Sequence, residues 1–135
     1  MTEFKNDGVL VQEYLYDFAV DGGAVGTIDL SDNAKRHALP VGAIVKAVHY
    51  RVLTAMTSGG AATLAIGDLD TAARYKAATA YNDAAYALNF VAAAAIGVPM
   101  LCDAANDGKF AVTIAGAALT AGKIGFYVEY FFPAN

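Results

Sequence analysis

The closing stretch KIGFYVEYFF, residues 123–132, constrains this chain more than any other. Ile124, Phe126, Val128, Tyr130 and Phe132 recur every second residue on one face. Gly125, Tyr127, Glu129 and Phe131 form the other. That period belongs to a β-strand, and aromatics on both rows predict a strand covered on both sides. The same period runs through Phe110, Val112 and Ile114, through Ala62, Leu64 and Ile66, and through Val25–Leu30. Near the start, Tyr14, Tyr16, Phe18 and Val20 make an aromatic row against Leu15, Asp17, Ala19 and Asp21. In AIVKAVHYRVLTA (43–55), Ile44, Val48, Tyr50 and Val52 share one face, interrupted by Lys46. Val45, His49, Arg51 and Leu53 share the other, and that mixture of charge and apolar bulk predicts a face turned to a partner.

Glycine punctuates these runs. Asp21-Gly22-Gly23 reads as a turn, Thr57-Ser58-Gly59-Gly60 and Asn106-Asp107-Gly108 as hairpin turns, and ALTAG (118–122) as a corner. SDNAKRHALPVG (31–42) is a polar loop. Residues 69–95 are rich in alanine, the best helix former, yet Thr71, Thr79, Asn82, Asp83 and Asn89 break any long stripe. One short helical turn near 70–75 is expected there, followed by irregular or short extended segments. Many short strands joined by glycine turns predict an all-β chain: an antiparallel β-sandwich, jelly-roll-like. It comprises an extended N-terminal arm over residues 1–12 and a sandwich domain over 13–135. In the arm, Val9-Leu10-Val11 could pair only if something supplies a partner strand.

Composition narrows the function. Charged residues make up 16% of the 135, well below the roughly 25% of an average globular chain, while 57% are hydrophobic. A surface so poor in charge predicts an oligomer or a docked subunit. Net charge is −4, and the nine basic residues are scattered, which argues against direct nucleic-acid binding. Cys102 is the only cysteine, so neither an intrachain disulfide nor a thiolate metal cluster can form, and a buried structural thiol is expected. The opening MTEFKNDGVLVQEY lacks the pattern of a secretory signal. The most apolar run, 86–101, is too short to span a bilayer and contains Asn89, Gly97 and Pro99. Synthesis and assembly in a cytoplasm are expected, with no membrane partner.

No residue pattern specifies catalysis. The Thr-Ser-Gly-Gly turn lacks the following Lys and the helix of a phosphate-binding loop. His37 and His49, one in a loop and one on a strand, match no local metal motif, although His49 could hydrogen-bond across a subunit interface. The only serines, Ser31 and Ser58, both look turn-bound, which disfavours a hydrolase. Asp68 with Asp70, and Asp103 with Asn106 and Asp107, offer oxygen ligands without full calcium-loop spacing, so turn capping explains them better. Tyr14, Tyr16, Tyr81, Tyr86 and Tyr127 could stack on sugar rings, but tryptophan is absent, and core or interface packing accounts better for them. No catalytic, cofactor-binding or metal residue is assigned, and no enzyme is predicted.

LPVGAIVKAVHYRVLTAMTSGGAATLAIGD, together with KFAVTIAGAALTAGKIGFYVEYFF, resembles a group of small tailed-phage virion proteins: capsid decoration, or cement, proteins and kindred head-gene products. In that group LPAGA-x-V opens a strand, TA-x-TSGGSATIAIG forms a hairpin, and VTVA-x-AALTAGK-x-x-x-YVEY closes the sheet. The matching residues here are Leu39–Gly67 and Phe110–Tyr130. The resemblance implies a trimeric jelly-roll-like protein on the outside of an icosahedral shell, bridging neighbouring major capsid proteins. An arm adding a strand to a neighbour would be a natural clamp. The expected partner contacts are Val9, Leu10, Val11, Tyr14 and Tyr16, with His49 and Arg51 on the mixed strand face. A fibre head that binds a receptor or glycan is the alternative within the same virion.

Overall fold

Each alternating run becomes a strand, but the turns between them lead elsewhere than expected. The computed structural model describes residues 8–31, 37–94 and 97–132. Among these the strands are β1 (Leu10–Asp17), β2 (Gly26–Asp29), β3 (Ile44–Ser58), β4 (Thr63–Asp68), β5 (Lys76–Ala80), β6 (Val91–Ala94), β7 (Met100–Leu101), β8 (Phe110–Ala115) and β9 (Leu119–Phe131). One helical turn, α1 (Phe18–Asp21), follows β1, and 3-10 turns cover Ala84–Tyr86 and Ala105–Gly108. Two antiparallel sheets result. One runs β1-β9-β3-β6, with β7 also pairing β3; the other runs β2-β8-β4-β5. The pairs β1 with β9, β2 with β8, β3 with β6 and β7, and β4 with β5 are nested. The second half of the chain returns along the first like a long ribbon folded over into two layers. That is the jelly-roll arrangement of an all-β sandwich.

This topology corrects several local expectations. Thr57–Gly60 is not the turn of a hairpin: β3 lies in one sheet and β4 in the other, so the glycines carry the chain across the sandwich. Ser58 Oγ ties the crossing down, donating to the Ala118 carbonyl at 2.7 Å and accepting from Gly60 N–H at 3.1 Å. The Asn106–Gly108 turn likewise joins sheets, from β7 to β8. The expected corner at 118–122 sits earlier: Gly116 adopts φ 81°, and β9 already begins at Leu119. A side chain at Gly116 would collide with the Ala61 carbonyl, so the two crossings pack against each other at a position only glycine can fill.

Strand parity also shifts where alternation was read straight through. The β1 row stops at Asp17, whose carboxylate caps α1 by accepting from Ala19 N–H at 3.0 Å, so Phe18 and Val20 leave the strand. In β3 the register against β9 slips between Val45 and Ala47, a bulge at Lys46. Val45 therefore joins Val48, Tyr50 and Val52 inside, while Ile44 moves to the outer side. Residues 69–75 form a hydrogen-bonded turn, with Arg74 N–H bound to the Thr71 carbonyl, rather than a helix, and short extended segments follow as expected.

Between the sheets lies an aromatic core. Phe110 of β8 stacks on Tyr14 of β1 at 4.9 Å and meets Phe126 of β9 at 5.0 Å and Tyr75 at 6.0 Å. Tyr50 of β3 sits 6.0 Å from Tyr86. Such pairs add about 0.5–1.5 kcal/mol each beyond the area they bury. Burial obliges phenol hydroxyls to find acceptors, and they find backbone carbonyls. Tyr14 donates to His37, Tyr16 to Gly22, Tyr50 to Ala85 and Tyr86 to Leu64, at 2.6–3.1 Å. Burial also raises the pKa of all four, that of Tyr16 to about 12.

Candidate partner interface

The strand register decides which expected contact residues share a surface. Outward positions on the β1-β9-β3-β6 sheet fall in rows: Val11 opposite Glu129, Glu13 opposite Tyr127, Leu15 opposite Gly125. Across β9 these meet Ala47, His49 and Arg51, and across β3 His49 and Arg51 meet Ala93 and Val91. Val11, His49 and Arg51 thus lie on one face although they come from distant parts of the chain. Val11 (58% exposed), Val91 (65%) and Leu101 (52%) stand out into solvent there. Tyr127 folds its hydroxyl over Gly125, beside Leu53, closing a gap that glycine leaves in the strand.

Within this apolar setting His49 Nε2 and Glu129 Oε2 are 2.6 Å apart, both side chains partly shielded. Arg51 is exposed and reaches Asn89 Oδ1 at 3.4 Å. Glu129 is the functional candidate that local reading missed. It is remote from His49 in sequence, and only the β3–β9 register brings the two together. Val91 and Leu101 were missed for the same reason, since they join the face through β6 and β7.

Tyr14 and Tyr16 leave the contact set. They are 1% and 0% exposed, because the inward parity of β1 turns both rings into the core. Tyr86 is buried too, which removes three of the five tyrosines from any sugar-stacking platform. Val9 (41% exposed) and Leu10 (43%) remain at the surface. Leu10–Gln12, expected in the arm, pair with Tyr130–Val128 of β9, so this chain itself supplies the partner strand. Residues 1–7 of the expected arm lie outside the described residues. The outer side of the other sheet is built from small residues. Ala65 and Ala111 are nearly buried, and Thr27 and Thr113 share a hydroxyl hydrogen bond of 3.0 Å.

The two acidic motifs converge. Oxygens of Asp68, Asp70 and Asp107 lie within 4.8 Å of one another, around Arg74. Arg74 Nε donates to Asp68 at 2.5 Å, and Nη2 to Asp70 at 3.1 Å and Asp107 at 3.2 Å. Asp68 Oδ1 also accepts from the N–H groups of Asp70 and Thr71. Burial opposes the Arg74 charge, yet the Asp68 hydrogen bond and the Asp68 and Asp107 carboxylates hold its pKa above the ordinary value. Asp107 is held below the usual carboxylate range by its hydrogen bond with Asp103; burial opposes this, while the Asp103 N–H and Arg74 reinforce it. A guanidinium thus occupies the centre where a cation would sit, locking the β4–β5 loop to the turn before β8. Cys102 is fully buried, and burial pushes its thiol up to about 11.

No protein-family model matches this chain, and no curated protein matches its sequence. Solved structures do match its fold. A chain of the cyanophage Pam1 capsid asymmetric unit superposes with TM-score 0.69 at 22% identity, covering 93% of this chain and 86% of that one. A chain of the acid-stable capsid of Helicobacter pylori bacteriophage KHP30 gives TM-score 0.61 at 19% identity, covering 93% and 89%. A chain of the capsid of Ralstonia phage GP4 gives 0.61 at 16%, covering 95% and 86%. At such identities the likeness establishes the architecture: this sandwich is a fold also found in chains of three bacteriophage capsids.

Proposed function

We propose that this chain is a virion structural protein: a capsid decoration, or cement, protein that sits on the outer surface of a phage head and reinforces contacts between major capsid proteins. The observation that carries this reading is the fold match along 93–95% of the chain to chains of three phage capsids. The surface supports it. Charge is scarce, and one sheet presents Val11, Val91 and Leu101 around the His49–Glu129 pair. Such a mixture of exposed apolar side chains and a few placed polar groups suits a protein that works by covering surface on its partner. Val9, Leu10, Val11, His49 and Arg51 are the contact residues of this reading. The protein acts without catalysis or a cofactor, and assembles as a trimer on the shell.

Co-sedimentation with phage shells that lack the protein tests the reading. Saturable binding to intact shells, weakened at least about tenfold by His49→Ala with Arg51→Glu, is the expected result. Recovery of the full chain in the supernatant at every concentration refutes it. Sedimentation velocity on the free protein tests the trimer.

A further inference from the structure

The two sheets have four outer edges, and three of them are blunted. β2 is four residues long, β5 is five residues long with a register slip against β4, and the fourth edge is broken into the short β6 and β7. β1 differs: it runs eight residues, pairs with β9 without a register shift, and contains no proline, lysine or glycine. Among the described residues no strand pairs with its other side; the contacts made there by side chains are few, Gln12 Nε2 donating to the Glu13 carbonyl at 3.0 Å and the Asp17 N–H to Asp21 Oδ2 at 2.9 Å. A long edge strand without a partner is the feature that soluble sheets ordinarily suppress, because its free N–H and C=O groups template another strand. Here Val9, just before the strand, and Leu10 and Val11 at its start are three consecutive exposed apolar residues.

We infer that the free edge of β1 is an acceptor site for an extended segment of a partner protein, a segment with a Lys or Arg flanked two residues away on each side by apolar residues. The outward side of β1 presents Val11, Glu13 and Leu15 in alternation, and Glu13 is exposed with no ion-pair partner among the described residues. Cross-strand pairing opposes like charges, so antiparallel pairing of two β1 strands about Glu13 would set carboxylate against carboxylate. A basic residue there, between two apolar ones, satisfies all three positions. The role expected of this segment is thereby reversed: it receives a strand instead of donating one.

This inference rests on the shell-binding reading, and amide hydrogen exchange on the full chain separates the two. Free protein and protein bound to shells lacking it are compared at two protein concentrations. Alternate β1 amides should exchange fast in the free protein and slow at least tenfold on the shell, with β5 unchanged. Glu13→Lys should weaken shell binding about tenfold, and Ala78→Lys on β5 should leave it unaltered, both variants melting within about 2 °C of the parent. Shell binding with unchanged β1 exchange, or undiminished by Glu13→Lys, overturns the acceptor site while sparing the proposed function. Concentration-dependent protection of β1 in the free protein would assign the edge to a second copy and overturn it as well. No shell binding at all overturns both.

Discussion

Replacing Arg74 with Met tests whether one guanidinium holds the acidic cluster together. Asp68 is 1% exposed and the Arg74 side chain 19%, so the substitution strands a buried carboxylate without its cation. Breaking a buried ion pair on one side costs about 3–5 kcal/mol. Asp68 keeps its two backbone donors at 2.9 and 2.7 Å, and Arg74 retains some solvent access, which places the expected loss at the lower end, about 3 kcal/mol. For a domain of this size that lowers the melting temperature by about 10 °C or more. With a typical urea dependence of about 2 kcal/mol per molar, the midpoint falls by about 1.5 M. The control is Asp68→Asn with Arg74→Met, which removes the stranded charge and keeps an acceptor for the two N–H groups. It should recover at least about 1 kcal/mol relative to Arg74→Met alone. A loss below about 1 kcal/mol, or a double variant less stable than the single, would refute the reasoning.

Further outcomes follow from the same geometry. Gly59→Ala should change stability by less than about 0.5 kcal/mol, since nothing lies within 4 Å of the added methyl, whereas Gly116→Ala should cost more than about 2 kcal/mol through its φ of 81° and the Ala61 carbonyl; urea midpoints of the pair decide this. Asp107 has a depressed pKa in the fold, so its contribution is present above the unfolded value of 3.8 and is lost as pH falls through the lower folded value. The stability gap between the parent and Asp107→Asn should therefore be present at pH 7 and close as pH falls below about 4, the neighbouring Asp103, whose pKa is raised by the same hydrogen bond, broadening the change; a gap independent of pH would contradict this. Cys102 should resist an aqueous disulfide reagent in the native protein and react fully after unfolding, and rapid native labelling would show that the thiol is not sealed in the core.

Strand identity was legible because alternation is a local property: Phe110, Val112 and Ile114, and Ile124, Phe126 and Val128, point inward as their period requires. Sheet membership was not. A Ser-Gly-Gly corner looks the same whether it folds a strand back beside itself or carries it across the core, and the nested pairing that decides between them is entirely long-range. Parity failed where a single residue is added. Lys46 marked the spot in the sequence as an interruption, but only the register with β9 shows that it flips Val45 inward and Ile44 outward. The contact face was half legible. His49 and Arg51 announce themselves by standing among apolar neighbours, whereas Glu129 matters only through a partner 80 residues away in the chain. Tyr14 and Tyr16 misled because an aromatic row is equally suited to a core and to an interface, and β1 had no visible partner until β9 was placed beside it.

The most direct measurement is a cryo-electron microscopy difference map between shells with and without the full chain. The account predicts density for a two-layer sandwich on the outer surface, with the β1-β9-β3-β6 sheet and its β1 edge turned toward the shell. Density confined to the interior, or shells indistinguishable with and without the chain, would contradict it.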